Sequence, residues 1–374
     1  MRLPRLAAPL VLALAAACAD TQDFRTTPSP TTDVTTPAPP ATLPPAAEPG
    51  VTAKAVVLAS DQGLYDEDPD RQGPMAVVTD ATWVYWLDVT SHLARVPKAG
   101  GKVESLADTN AMPYELALAG DHLYFTDVPD ERIVRLPTSG GAIEGVTPAT
   151  KEEWRDIQHF VVDGPRITWV DGLGVRRCEA IPCAAVKELP IGSNLRPVGL
   201  ATYGEHVFVP YLEVEPLYPN QLRPGGIANA TGGGQVDTLP LYYTAVLAEP
   251  DLKDPRLTAV YAATNNLILQ ADWPGGFPPR VLVSGTDADS YPASLQIGGA
   301  YLYFLNRGSR CTACKTMTPG SIMRVKKDGS ERPEQVYAAE DALNALVVDA
   351  SGLYVTTNGG RVLRVPRPAD GPLR

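Results

Sequence analysis

Histidine, clustered basic residues and long apolar runs are all scarce in this chain of 374 residues. It has 4 histidines, and its 32 lysines and arginines are outnumbered by 43 acidic residues, which gives a formal charge of −11. Nucleic-acid binding needs clustered cations that neutralise phosphates, so the sequence argues against a nucleic-acid partner. Proline (37) and glycine (32) are abundant instead, and this favours many short strands and turns over long helices.

The pronounced apolar run lies at the N-terminus, in MRLPRLAAPLVLALAAACAD. Two arginines, a short apolar stretch and small residues are typical of an export signal, and the run is too short to span a bilayer. The segment LAAAC resembles the lipobox of bacterial lipoproteins, which implies a signal peptide of residues 1–17 and lipidation of Cys18. The alternative is ordinary cleavage after Ala17 or Ala19, which would release a secreted protein.

Residues 18–50 follow as a tether, and more than half of Thr21–Gly50 is threonine or proline. Such a composition cannot build a core and favours an extended spacer. We therefore expect an exported protein that is held in the bacterial cell envelope, facing the periplasm or the exterior, with the outer membrane or cell surface favoured. The remaining residues, 51–374, are expected to form the folded domain.

Seven strand-like segments recur in this domain about 45 residues apart, the spacing of four-stranded propeller blades. Each is followed by a strand, a glycine turn and a second strand. The segments are VYW (84–86), LYF (123–125), ITW (167–169), VFV (207–209), LIL (267–269), LYF (302–304) and LYV (353–355). The pattern predicts an all-β, seven-bladed β-propeller.

The two ends of the domain are predicted to complete one blade. The last repeat stops after three strands, and Thr52–Ser60 reads as the missing outer strand. Pairing the two would close the ring and remove exposed sheet edges.

Three repeats carry an aspartate after the aromatic strand, in YWLD, YFTD and TWVD. This resembles the YWTD class of propeller repeat and places Asp88, Asp127 and Asp171 on its aspartate position, where the resemblance implies bracing of neighbouring backbone. That class typically has six blades, so a six-bladed ring is the alternative, with the fifth repeat as the miscounted one. The chain as a whole is similar to exported bacterial propeller lipoproteins.

Two inner-strand residues stand out among small neighbours. The aligned positions read Ala76, Glu115, His159, Gly199, Ala259, Ser294 and Ala345. Glu115 and His159 fall on adjacent blades, which predicts a polar pair beside the channel that binds a ligand or ion, or a structural hydrogen bond between blades. Tyr114 and Gln158 belong to the adjoining position at the channel mouth and are candidate ligand contacts.

Two insertions supply further candidates. Pro210–Gly226 carries Tyr211, Tyr218 and Arg223, residue types that often dominate binding energy. Asn306–Ser321 contains Cys311 and Cys314, and a second close pair is Cys178 and Cys183. In an oxidising compartment each pair is expected to form a local disulfide.

The combined interpretation is a membrane-tethered, monomeric propeller that acts as a binding or scaffolding platform for a protein or an envelope glycan. The alternative is a propeller enzyme, similar to lyases or lactonases, with its site at the channel mouth. We expect no cofactor and no metal site, because the aligned mouth positions are largely apolar.

Overall fold

The computed structural model describes residues 54–64, 73–149, 157–172, 174–192, 194–214, 222–232, 235–251, 254, 256–264, 266–274, 279–284, 292–311 and 316–369, without the side chains of 112–114, 235–240, 309–311 and 316–318. Within these ranges the regular secondary structure consists of β-strands alone, and the strands form seven blades of antiparallel sheet. No helix in the described part of the chain has the length and apolarity needed to cross a bilayer.

The first strand, β1 (Val56–Ala59), belongs to the last blade. Blades 1 to 3 follow in chain order and have four strands each. Blade 1 has β2 (Pro74–Thr79), β3 (Trp83–Asp88), β4 (His92–Pro97) and β5 (Glu104–Asp108). Blade 2 has β6 (Ala111–Ala119), β7 (His122–Asp127), β8 (Arg132–Pro137) and β9 (Glu144–Gly145). Blade 3 has β10 (His159–Asp163), β11 (Arg166–Asp171), β12 (Gly174–Cys178) and β13 (Lys187–Leu189).

Blade 4 is the largest sheet, because its inner strand is split in two and an extra short strand is added. It has β14 (Leu195–Pro197), β15 (Ala201–Tyr203), β16 (His206–Val214), β17 (Leu222–Arg223), β18 (Gly225–Asn229) and β19 (Gln235–Leu241). Blade 5 has β20 (Tyr243–Pro250), β21 (Thr258–Thr264), β22 (Leu267–Trp273) and β23 (Arg280–Ser284).

Blade 6 carries a two-stranded hairpin between its second and third main strands. It has β24 (Pro292–Gly298), β25 (Tyr301–Asn306), the hairpin β26 (Ser309–Cys311) and β27 (Thr316–Thr318), then β28 (Ser321–Lys326) and β29 (Glu334–Ala338). Blade 7 has β30 (Leu343–Asp349), β31 (Gly352–Thr357) and β32 (Val362–Val365), and β1 completes it.

The ring closes through both ends of the domain, as the sequence predicts. Strand β1 pairs antiparallel with β32, in the register Val56↔Arg364 and Val57↔Leu363. Inner strands of neighbouring blades contact one another all the way round, from β2 through β6, β10, β15, β20 and β24 to β30 and back to β2. The described chain therefore forms the predicted seven-bladed propeller.

The apolar core consists of seven clusters, one at each junction between neighbouring blades. The junction between blades 7 and 1 includes Leu58 and Ala59 of the closing strand, packed with Trp86 and Tyr354. Burial of apolar area stabilises these contacts. Since the alternating residues of each strand face the two neighbouring blades, every blade is held from both sides.

Blade 5 corrects one detail of the sequence alignment. The prediction takes LIL (267–269) as the second strand and Ala259 as an inner-strand residue, but the inner strand is β20 and the second is β21. The aromatic position of this blade is Tyr261, and Leu267–Leu269 lie in the third strand. Ala259 therefore lies in the second strand and is not a channel residue.

The last residue of the second strand, an aspartate in blades 1 to 3, accepts hydrogen bonds from the turn that follows it in blades 1 and 3. Asp88 accepts hydrogen bonds from the backbone N–H of Thr90 and of His92, at 2.9 and 3.0 Å. Asp171 accepts one from Gly174 at 3.1 Å. In blade 5 the same position is Thr264, whose Oγ1 accepts from the N–H of Leu267 at 3.0 Å. The position is thus structural in these three blades.

Buried lysines link two pairs of blades at equivalent positions. Lys98, after the third strand of blade 1, reaches Asp349 at the end of the inner strand of blade 7. Lys327 occupies the same place in blade 6 and lies 2.7 Å from Glu249 at the end of the inner strand of blade 5. Both lysines are buried.

One of the two predicted disulfides lies within the described residues. Cys178 and Cys183 are bonded, with a Cα–Cα distance of 5.5 Å. Cys183 also donates its N–H to the carbonyl of Val146 at 2.8 Å, which joins the bridged turn of blade 3 to blade 2. Cys314, the side chain of Cys311, and Cys18 lie outside the described residues.

Candidate functional site

The candidate site is one face of the ring, which we call the insertion face. It comprises the starts of the inner strands and the connections between second and third strands, and the pairing Pro74↔Asp88 shows that these lie side by side. The pairings Pro292↔Asn306 and Leu195↔Glu213 place the connections of blades 6 and 4 on the same face. Both of the long insertions predicted from the sequence therefore belong to it.

Blade 4 rises above its neighbours on this face because β16 continues past the usual end of a second strand. Its first half pairs with β15 and its second half with β14 and β17. The break falls at Pro210, which has no N–H to donate to the inner strand. Gly199 accommodates the proline ring, since a Cβ there would lie 2.9 Å from Pro210 Cγ.

The extension of β16 changes the position of one predicted binding residue. Tyr211 was expected on an exposed loop, but it lies within β16 opposite Pro197 and is 2% exposed. Arg223, in β17, is exposed on the insertion face. Tyr218 lies outside the described residues. A role in ligand binding remains a prediction for Arg223, whereas Tyr211 faces the protein interior.

The insertion of blade 6 forms the hairpin β26–β27, with the register Ser309↔Thr318 and Cys311↔Thr316. Its base is tied to the ring by the N–H of Leu343, which donates to the carbonyl of Arg307 at 2.9 Å. The side chains of the hairpin lie outside the described residues. The backbone alone shows that this insertion projects from the same face as blade 4.

Glu115 and His159 are in contact across adjacent blades, as the sequence predicts. Glu115 Oε1 lies 2.5 Å from His159 Nδ1, which joins blade 2 to blade 3. The imidazole side chain is 40% exposed and the carboxylate 23% exposed. Glu115 falls in the irregular stretch of β6 between the pairs Ala111↔Asp127 and Leu116↔Phe125. Such bulges redirect side chains, and this one brings the carboxylate to the neighbouring blade.

The environment of the pair favours the protonated imidazole. Burial opposes the charged form, but the hydrogen bond and negative charge of Glu115 and a hydrogen bond to the backbone of Val198 outweigh it, and together they raise the pKa of His159 above its ordinary value. A carboxylate beside a histidine acts in this direction. A protonated imidazole donates from both ring nitrogens and accepts at neither.

The blade 4 backbone near the pair has its own hydrogen bond. The N–H of Val198 donates to the carbonyl of Pro210 at 2.9 Å, at the base of the blade 4 extension.

The other mouth positions have structural contacts. Gln158 donates its N–H to the carbonyl of Val170 at 2.9 Å. Asn344 Nδ2 donates to the carbonyl of Pro74 at 3.0 Å, which joins blade 7 to blade 1. Thr244 Oγ1 donates to the carbonyl of Pro292 at 3.3 Å, which joins blade 5 to blade 6. The side chain of Tyr114 lies outside the described residues. Among the side chains that are described, no three His, Cys, Asp or Glu residues converge as metal ligands would.

The fold is similar to several solved propellers. Virginiamycin B lyase from Staphylococcus aureus superposes with a TM-score of 0.58 at 13% identity, over 85% of this chain and 99% of the lyase. YCF48 bound to D1 peptide superposes with a TM-score of 0.55 at 9% identity, over 83% and 100% of the two chains.

A third structure is PorZ, described as an essential bacterial surface component of the type-IX secretion system of Porphyromonas gingivalis. It superposes with a TM-score of 0.51 at 13% identity, over 84% of this chain and 39% of PorZ. No protein-family model matches the sequence, and no curated protein does. At such low identities these likenesses show the propeller fold alone.

Proposed function

We propose that this chain is an exported lipoprotein, lipidated at Cys18 and tethered by residues 18–50, whose propeller binds a protein partner on the insertion face. The N-terminal sequence supports export and anchoring, and the propeller supplies a rigid ring that presents loops. Loops on a rigid scaffold are the usual location of binding residues. A cell-envelope glycan is the alternative ligand of the same face.

One observation carries the proposal: both long insertions and the polar pair at the channel mouth lie on the same face of the ring. Blade 4 contributes β14, the second half of β16, β17 and the exposed Arg223, and blade 6 contributes a hairpin. A structural role for the insertions would not require them to share a face. A partner that spans the mouth would contact both.

The structural neighbours are consistent with a protein ligand. YCF48 is described as bound to a D1 peptide, and PorZ as a component of a secretion system. These descriptions apply to YCF48 and PorZ and are not observations on this chain. They support the proposal only by showing that propellers of similar fold serve as polypeptide-binding or assembly components.

The test is site-specific photo-crosslinking in cells with the full-length chain. A photoreactive phenylalanine analogue replaces Arg223 on the insertion face or, as a matched control, Arg256. Arg256 is 87% exposed and follows the inner strand of blade 5, on the opposite face of the ring. We expect a defined adduct from position 223 that is absent from position 256.

Equal adducts at both positions, or none at 223, would contradict a protein-binding insertion face. Sedimentation with purified peptidoglycan then examines the glycan alternative. Binding that is weakened by Arg223→Ala and unaffected by Arg256→Ala would identify the same face with a glycan ligand.

A second candidate function is a lyase. The observation that favours it is the Glu115–His159 pair at the channel mouth, because a histidine beside a carboxylate is a common proton-transfer pair. One of the similar solved structures is a virginiamycin B lyase with quinupristin, described as catalytically inactive through replacement of a histidine by alanine. Incubation with quinupristin, analysed by mass spectrometry, tests this, and conversion must disappear in His159→Ala to support it.

A further inference from the structure

We propose that Arg177, buried between blades 3 and 4, is the centre of an anion site that binds the carboxylate group of a small ligand. In blades 1, 2 and 6 the equivalent arginine pairs with a glutamate of its own blade, and in blade 3 that glutamate is replaced. The site lies within a junction between blades, so it does not depend on the function proposed for the insertion face.

The equivalent arginines of three other blades occupy one place in the sheet. Each lies in the third strand, opposite a tyrosine of the second strand and a glutamate of the outer strand. The three residues are Tyr85, Arg95 and Glu104 in blade 1, Tyr124, Arg135 and Glu144 in blade 2, and Tyr303, Arg324 and Glu334 in blade 6. In each blade the guanidinium and the carboxylate form an ion pair, at 2.7 Å in blade 1 and 2.9 Å in blade 2. The outer-strand glutamate is therefore the usual counter-ion of this arginine.

Blade 3 departs from this pattern on both sides of the arginine. Arg177 stands opposite Thr168 in the second strand and opposite Lys187 in the outer strand. Residues directly opposite each other interact on one face of the sheet, where like charges destabilise. Blade 3 thus has two cations where three other blades have a cation and a carboxylate.

The guanidinium of Arg177 is buried and has few hydrogen bonds. The residue is 4% exposed, and Nε donates to Thr168 Oγ1 at 3.1 Å. Its two terminal amino groups have no acceptor among the described residues. Arg364 of blade 7 also lacks a glutamate, since it stands opposite Val56, but it is only partly buried and donates to the carbonyl of Lys98 at 3.1 Å. Arg177 therefore has the greater need of a counter-ion.

The side chain of Arg177 faces blade 4. It lies two residues from Val175, which packs against Val207 and Val209 of blade 4, and alternate residues of a strand share a face. The side-chain atoms that are both enclosed and unpaired in the described chain do not include those of Arg177. Its terminal amino groups therefore touch solvent, and a small ion can reach them.

The charged groups around this junction do not supply the missing counter-ion. Arg166 binds two of the carboxylates, Asp163 at 3.1 Å and Glu205 at 2.6 Å. Glu179 is exposed and acts on Arg177 through its charge. Burial lowers the pKa of Arg177 below its ordinary value, and the charges of these three carboxylates do not outweigh it. A buried charge requires a partner and hydrogen bonds, so the site favours an added anion.

The other blades indicate the chemistry of that anion. In blades 1 and 2 the arginine gives two N–H donors to the glutamate carboxylate, a strong, charge-assisted arrangement. At Arg177 the Nε donor is used by Thr168, which leaves the two terminal amino groups for the ligand. Since so little of Arg177 is exposed, the ligand that fits is a small carboxylate.

The experiment follows the unfolding temperature of the full-length protein as acetate replaces chloride at constant ionic strength and neutral pH. A ligand that binds only the folded state, at about ten times its dissociation constant, favours that state about elevenfold. We expect a saturable rise of the unfolding temperature with acetate. Inorganic phosphate at the same ionic strength should have a smaller effect, and an equal or larger effect would overturn the assignment to carboxylates.

Two variants separate the site from general effects of salt. Lys187→Glu restores the residue that faces the arginine in blades 1, 2 and 6. It should unfold at a higher temperature than the parent in chloride and should not respond to acetate. Arg135→Met is the matched control, because Arg135 has the equivalent position and already binds Glu144. Its response to acetate should equal that of the parent.

Saturation-transfer NMR of the acetate methyl group measures binding without unfolding. We expect a signal with the parent and with Arg135→Met, and none with Lys187→Glu. The same signal from all three proteins, or no signal from the parent, would overturn the site. An unfolding temperature of Lys187→Glu in chloride that is no higher than that of the parent would contradict the missing counter-ion.

Discussion

Replacing Asp349 by asparagine should weaken the junction at which the ring closes. Asp349 pairs with Lys98 of blade 1 and accepts a hydrogen bond from Thr79 Oγ1 at 3.0 Å. It also braces its own turn, accepting from the N–H of Ser351 at 2.7 Å. The substitution keeps the shape of the side chain and removes its charge, which leaves the buried Lys98 ammonium without a counter-ion.

The size of the loss follows from the burial of the pair. Breaking a buried ion pair by removing one partner costs about 3–5 kcal/mol. The Asp349 side chain retains 23% exposure, and solvent screens the pair, so we expect a loss just below that range, about 2–3 kcal/mol. At roughly 2 °C per kcal/mol for a domain of this size, the unfolding midpoint should fall by about 5 °C.

The pH dependence gives a second, independent check. Burial alone raises the pKa of Asp349, but hydrogen bonds from Lys98, Ser351 and Thr79 outweigh it and hold the pKa below its ordinary value of 3.8. The stabilisation is therefore present above pH 3.8 and is lost as pH falls through the folded pKa. The gap between parent and Asp349→Asn should be constant near neutrality and close in strong acid.

Urea unfolding followed by circular dichroism measures these differences. Lys98→Met completes a double-mutant cycle, since it should cost little more once Asp349 has been replaced. Arg256→Ala, an exposed change on the opposite face, should leave the midpoint unmoved. If Asp349→Asn unfolds at the same urea concentration as the parent, or if the gap persists in strong acid, the ion-pair argument is refuted.

Three further predictions concern other parts of the chain. The double variant Cys178→Ser, Cys183→Ser should lose about 2 kcal/mol in urea unfolding, because the bridge closes a short loop; a stability equal to that of the parent would contradict this. Cys18→Ser should move the protein from the membrane fraction to the soluble fraction of fractionated cells, and continued sedimentation with membranes would count against lipidation at Cys18. Thr264→Val should lower the free energy of unfolding by about 1 kcal/mol, because it removes the oxygen that accepts a hydrogen bond from the N–H of Leu267. Thr264→Asp should be tolerated, because aspartate fills that position in blades 1 to 3. Equal losses of stability in the two variants would contradict a role for residue 264 as the hydrogen-bond acceptor of this turn.

The sequence predicted the ring and its closure because a repeat is visible without knowledge of contacts. It misplaced blade 5 because two apolar runs, TAVYAAT and LILQADW, stand next to each other and either suits a buried strand. Thr264 replaces the aspartate that marks the strand end elsewhere, so the distinguishing residue was absent. The tyrosine of VYAAT, at the same place as Tyr85 and Tyr124, was the signal that identified the true second strand.

The site was predicted as far as side-chain type permits. Glu115 and His159 stood out because polar residues are exceptional at a crowded axis, and their contact follows from adjacent blades. The burial of Tyr211 was not predictable, since nothing in the composition of PYLEVEP shows that the strand continues beyond its proline.

The closing strand has a consequence for the order in which the protein is made. Strand β1 emerges from the ribosome first among the described strands, yet its partner β32 ends at Val365, close to the last described residue. Six blades can assemble while synthesis continues, but the seventh cannot be completed until β32 has been made. Until then Leu58 and Ala59 have only one side of their eventual packing site. Closure of the ring therefore joins the first and the last of the described strands to be synthesised.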